Sequence, residues 1–134
     1  MTGTDPKAVS ILVIDDDAAV RETVQQILET AGYGVTCAED GERGLEVFRA
    51  HRPDLVVTDL MMPKREGIET MLMVRRELTD APIIVISGGA RLVNYDYLEL
   101  ARALGANAVL AKPFEPDELI EAVVSCLSGR SSET

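Results

Sequence analysis

Two short runs dictate what this chain can fold into. Ile11-Leu12-Val13-Ile14 leads straight into Asp15, and Leu55-Val56-Val57-Thr58 leads straight into Asp59. A strand wetted on one face alternates apolar and polar side chains. An unbroken apolar run of strand length is buried on both faces, the signature of a parallel sheet covered by helices. Pro53-Asp54 precedes the second run and Pro63 follows it; proline neither donates to a strand ladder nor sits inside a helix. Asp59 therefore stands at the carboxyl end of a buried strand, where open α/β sheets place their ligands.

The rest of the chain alternates with these runs. Asp17 is placed to cap a helix carrying Val20, Val24, Ile27, Leu28 and Ala31, and Gly32 stops it. Tyr33 to Ala38 reads as a short strand. Gly41 to Ala50 reads as a helix burying Leu45 and Phe48, with Gly44 letting its backbone approach the sheet. Pro63 to Gly67 is a turn, and a helix runs from Ile68 to about Leu78. Ile83 to Ile86 is a fourth strand ending in Ser87-Gly88-Gly89; a helix follows, starting between Arg91 and Asp96 and stopping at Gly105. Asn107 to Ala111 is a fifth strand ending in Lys112-Pro113-Phe114. Pro116 opens a last helix with Leu119, Ile120, Val123, Val124 and Leu127 as its apolar stripe, and Ser128 to Thr134 is a polar tail expected to be disordered. Five strands alternating with five helices predict one α/β domain, a parallel sheet covered on both faces by right-handed crossovers.

At 134 residues the length fits one domain. The net charge of −10 argues against a nucleic-acid surface and suits a cation or a basic partner. Cys37 and Cys126 lack metal-type spacing and read as buried free thiols. Met1 to Ser10 has no apolar core of a signal peptide, and no run is long enough to span a bilayer. A cytoplasmic location is expected.

In a parallel sheet all carboxyl ends share one edge. Asp15 and Asp16, Asp59, Ser87 and Lys112 end four different strands and so converge there. Two carboxylates about 4 Å apart repel by roughly 4 kcal/mol at an effective dielectric near 20. Such a cluster calls for protons or a cation, and Mg²⁺ suits it: it takes oxygen ligands, keeps waters and commonly joins carboxylates to a phosphate oxygen. Lys112 adds a positive charge and Ser87 a hydroxyl donor for a phosphoryl group held on, or arriving at, one carboxylate. His51 lies in a polar connection and reads as a surface residue.

With these residues in place, the sequence resembles the receiver domain of bacterial two-component response regulators over roughly Val9 to Leu127. The resemblance is carried by Ile11 to Asp17, by Pro53 to Pro63 with Glu66-Gly67, by Ile86-Ser87 and by Leu110 to Phe114. It implies a flavodoxin-like, doubly wound sheet of order 2-1-3-4-5 with five helices. It implies that Asp59 accepts a phosphoryl group from a sensor histidine kinase or histidine phosphotransfer protein. Asp16 and Asp59 would hold Mg²⁺ directly with the Met61 carbonyl, and Asp15 through water. Ser87 and Lys112 would contact the phosphoryl oxygens. The fourth helix, fifth strand and fifth helix would bind a downstream protein target, with no membrane or nucleic acid involved. If the chain is complete, it is a stand-alone receiver.

The chain departs from the family pattern at three places. Val109 stands where the fifth strand usually carries an aromatic, with Tyr95 and Tyr97 as possible substitutes. Gly88 replaces the usual alanine after Ser87. The segment after Ser87 is longer, and the loop Gly88 to Asn94 is expected to be mobile. Two other readings compete. A degenerate receiver would bind its partner without phosphorylation. A haloacid-dehalogenase-like phosphohydrolase would use Asp15 as nucleophile with Asp17, but it needs a later acidic pair and leaves Asp59 unexplained.

Overall fold

A computed structural model describes residues 9–59, 81–87, 105–111 and 114–132. The strands are β1 (Ser10–Ile14), β2 (Gly34–Ala38), β3 (Leu55–Asp59), β4 (Ile83–Ser87) and β5 (Ala108–Ala111). The helices among the described residues are α1 (Ala18–Thr30), α2 (Gly41–His51) and α3 (Pro116–Ser132), the last being the fifth helix of the sequence reading. The helices expected over 68–78 and before Gly105 fall outside the described residues, as does the Gly88 to Asn94 loop.

All five strands are parallel, in the order β2-β1-β3-β4-β5. Strand periodicity then sorts the apolar runs onto two faces. Ile11 and Val13, Leu55 and Val57, Ile84 and Ile86 face α1 and α3, where Val24, Leu28, Leu119 and Val123 complete the layer. Leu12 and Ile14, Val56, Ile83 and Val85 face Val47 and Phe48 of α2. The two unbroken runs are thus buried on both faces, as expected. Val109 pairs in register with Val85 and packs half-buried against the α2 layer.

Local chemistry sets the helix ends. Asp17 caps α1, and Gly32 follows it at φ 102°, a left-handed conformation that suits glycine. Asp40 caps α2 by accepting the Arg43 N–H at 2.8 Å. At α3 the Glu118 side chain reaches back to the Glu115 N–H at 2.8 Å, the returning half of a capping box. Gly44 lets α2 approach the sheet closely. A Cβ built there lies 2.6 Å from Ile14 Cδ1 and 3.0 Å from its Cγ1, so a side chain fits only if the Ile14 side chain shifts. At the far end of β1, Asp54 exchanges two hydrogen bonds with Ser10: its side chain accepts the Ser10 N–H at 2.9 Å, and its own N–H donates to the Ser10 carbonyl at 2.7 Å.

The sequence reading needs correction at four points. The last helix does not stop at Leu127 but continues to Ser132, so the polar tail from Ser128 is largely helical. Serine and glycine cost at most about 1 kcal/mol each in a helix, too little to end one whose earlier turns are packed on the sheet. Val124 is 48% exposed rather than part of the buried stripe. It follows Leu119 by five positions, which turns it about 140° away. Ala122 and Cys126 are partly buried beside that layer instead. On α2 the buried positions are Val47 and Phe48, with Leu45 only half-buried. Ala31 caps α1 from outside the helix and is exposed.

Cys37 and Cys126 are free and half-buried. Burial pushes both thiols above their ordinary range, with the Arg21 charge pulling Cys37 partly back. The folded chain therefore holds these two protons to higher pH than the unfolded chain. Their contribution to stability is complete below the unfolded thiol value and is lost as pH rises through the folded value. The urea midpoint should fall as pH rises through and above the ordinary thiol range, and a Cys37→Ala/Cys126→Ala variant should fall less steeply. At Gly44, overpacking costs about 1–3 kcal/mol while helix propensity returns about 1 kcal/mol to alanine. Gly44→Ala should therefore lose little to about 2 kcal/mol in urea denaturation, and Gly44→Val distinctly more.

Candidate functional site

The site forms where β1 and β3 run out at the carboxyl edge. Ile14 pairs with both Ala38 and Thr58, so the residues just beyond these strands lie side by side. The ladder extends one step past β1, where the Asp15 N–H donates to the Ala38 carbonyl at 3.1 Å. Asp15 then turns. Its Oδ1 accepts the Asp17 N–H at 2.9 Å, an aspartate turn that redirects the chain into α1. Asp15 is buried, Asp16 is exposed, and Asp59 is only 6% exposed. One carboxylate oxygen from each of Asp15, Asp16 and Asp59 lies within 4.8 Å of the others.

Three oxygen donors at that separation fit a hard divalent cation. Two of them are buried on the rigid sheet, while exposed Asp16 keeps the site open to water, as Mg²⁺ requires. A positive charge brought to this cluster is held by all three carboxylates at once.

The structure also divides the aspartate run by role. Asp17 is not part of the cluster. Its Oδ1 accepts the N–H groups of Ala19 at 2.9 Å and Val20 at 3.4 Å, so its carboxylate is spent on capping α1. Ser87 ends β4, one residue beyond Ile86, which pairs with Asp59. Its backbone therefore reaches the same edge; its side chain, Lys112 and Met61 lie outside the described residues. His51 is exposed, as expected of a surface residue.

Sequence reasoning passed over Arg21. Its Nη1 donates to the Asp15 carbonyl at 2.8 Å. One signal pointed to it. Helix N-termini favour acids, yet α1 has no acidic residue in its first turn, and an arginine follows.

Comparison with known proteins decides the family. The family model described as "Response regulator receiver domain" matches residues 11–124. The chain belongs to the response regulator receiver domain family. Response regulator MprA of Mycolicibacterium vanbaalenii is 39% identical over 116 residues, covering 84% of this chain and 47% of that protein. The probable transcriptional regulator ycf27 of Porphyridium aerugineum is 40% identical over 117 residues, covering 87% and 47%. The chain spans about half the length of these curated relatives. Among solved structures, a CheY-like receiver domain protein from Methanospirillum hungatei superposes with a TM-score of 0.88 at 26% identity, covering 96% of this chain and all of that one.

As a receiver domain the chain serves two-component signalling, and its acidic cluster is the feature such a domain needs. The phosphohydrolase reading is not favoured: Asp17 is committed to the helix cap, and Asp59 joins Asp15 and Asp16 instead. No helix among the described residues is long and apolar enough to cross a membrane. Because Asp17 acts as a cap, Asp17→Ala should lower stability by about 0.5–2 kcal/mol in urea denaturation. It should leave phosphorylation by acetyl phosphate intact; a phosphohydrolase using Asp15 and Asp17 would lose its chemistry.

Proposed function

We propose that Asp59 is the phosphoryl acceptor of this receiver, and that its donor is a phosphohistidine on a sensor histidine kinase or histidine phosphotransfer protein. The observation that carries this is the placement of Asp59 at the buried end of the central strand, with its carboxylate gathered to those of Asp15 and Asp16. Asp59 is fixed by β3, which is paired on both sides, so the nucleophile is positioned before a donor arrives. One Asp59 oxygen forms the new P–O bond as the P–N bond to the donor imidazole breaks, and the leaving imidazole takes up a proton. Attack of water on the acyl phosphate later restores Asp59 and releases inorganic phosphate. The domain acts on no other substrate.

Asp16, Asp59 and the Met61 carbonyl would hold Mg²⁺ directly, and Asp15 through water. Mg²⁺ bound there supplies charge neutralisation for the carboxylates and the phosphoryl oxygens. The Ser87 hydroxyl and the Lys112 ammonium would contact the remaining phosphoryl oxygens. The output is a protein target on the face formed by the fourth helix, β5 and α3. With a net charge of −10, the domain itself offers nucleic acid no electrostatic attraction. A transcriptional regulator built like the longer relatives would contact DNA elsewhere. The site of action is the cytoplasm, where sensor kinases present their phosphohistidines.

Phosphoprotein gel mobility after incubation with acetyl phosphate and Mg²⁺ tests the assignment. Wild type should shift and Asp59→Ala should not. A shift that survives Asp59→Ala but is lost in Asp15→Ala overturns it, and no shift with any donor favours a phosphorylation-independent module. Independently, saturating Mg²⁺ should raise the wild-type melting temperature by a few degrees, and Asp16→Asn should diminish that rise.

A further inference from the structure

Asp15 is held from several directions, and one of these bonds reaches the peptide group that joins it to Asp16. Its carbonyl, which belongs to Asp15, accepts from Arg21 Nη1 at 2.8 Å. On the other side of Asp15, the backbone N–H is tied to β2 through the Ala38 carbonyl at 3.1 Å. The Asp15 carboxylate is tied to the Asp17 N–H at 2.9 Å. Arg21 itself is anchored by α1, where its N–H donates to the Asp17 carbonyl at 3.0 Å. The guanidinium thus bridges from the helix back to the one peptide that joins two members of the acidic cluster. Rotation of that peptide would swing the exposed Asp16 carboxylate away from Asp15 and Asp59. Arg21 is half-buried, so its hydrogen bond is shielded from competing water.

From this geometry we propose that Arg21 is a positioning residue for the cation site. It holds the Asp15–Asp16 peptide in the orientation that brings the Asp16 carboxylate to Asp15 and Asp59. A charge-assisted hydrogen bond to a backbone carbonyl does this without itself taking up a carboxylate oxygen. This rests on the reading of the cluster as a Mg²⁺ and phosphoryl site.

Two measurements on Arg21→Gln and Arg21→Lys test it: the Mg²⁺ concentration for half-maximal phosphorylation by acetyl phosphate, and the melting temperature with and without Mg²⁺. Arg21→Gln should raise the half-saturating Mg²⁺ by about 10-fold, the usual scale for removing a group that orients a metal ligand. Its phosphorylation should recover at high Mg²⁺, and Mg²⁺ should raise its melting temperature less than in wild type. Arg21→Lys, which keeps the charge but not the planar fork, should fall between. A folded Arg21→Gln protein with wild-type Mg²⁺ half-saturation overturns the proposal, even if its melting temperature without Mg²⁺ is lower. Should Arg21→Gln fail to fold, an intermediate half-saturation in Arg21→Lys supports the role, and a wild-type value overturns it. Failure of wild type to be phosphorylated or to respond to Mg²⁺ would instead count against the site reading.

Discussion

Mutual repulsion among Asp15, Asp16 and Asp59 is the constraint on which the rest of the structure turns. Like charges held within 4.8 Å of one another repel, and only a counter-charge or a rigid frame keeps them together. A flexible loop would relax by letting the carboxylates drift apart. Here the drift is blocked. Asp59 belongs to a strand paired on both sides, and Asp15 is the first residue past another strand, still joined to β2. Burial of Ile11 to Ile14 and Leu55 to Thr58 on both faces makes that edge stiff. The apolar sheet thus keeps the charges close enough to gather a cation, and Asp16 keeps water access to it.

Much of this was legible from residues alone because the informative features are local. A doubly buried strand announces itself by an unbroken apolar run, and a parallel sheet puts every carboxyl end on one edge. The fold, the strand order and the meeting of Asp15, Asp16 and Asp59 follow from those two facts together with the family resemblance. The capping role of Asp17 was readable for the same reason, since it depends on the next three residues only. Arg21 was not readable. Its contact is with a backbone carbonyl six residues earlier, and a backbone acceptor leaves no mark in the sequence. The end of α3 was misread because polarity was equated with loss of structure. Val124 was misplaced because apolar character was read as burial without following the helical angle.

Val109 bears on how the site reaches its output. It sits half-buried in register with Val85, packed against the core layer on that face of the sheet. A β-branched residue in a strand has few χ1 alternatives, and its volume offers little to swing between inside and outside. If an aromatic at this position is how receivers usually convert phosphorylation into surface change, this chain has a quieter fifth strand.

The approach of α2 to the sheet at Gly44 has a further consequence. The atoms that fill the absent side chain belong to Ile14, and the next residue is Asp15. A close helix–sheet contact therefore lies one residue away from the acidic cluster. A displacement of a few tenths of an ångström is trivial for a hydrophobic layer, but it is the scale on which a small hard cation grades its ligands. Position 44 thus bears on the acidic edge through Ile14, although its own surroundings are entirely apolar.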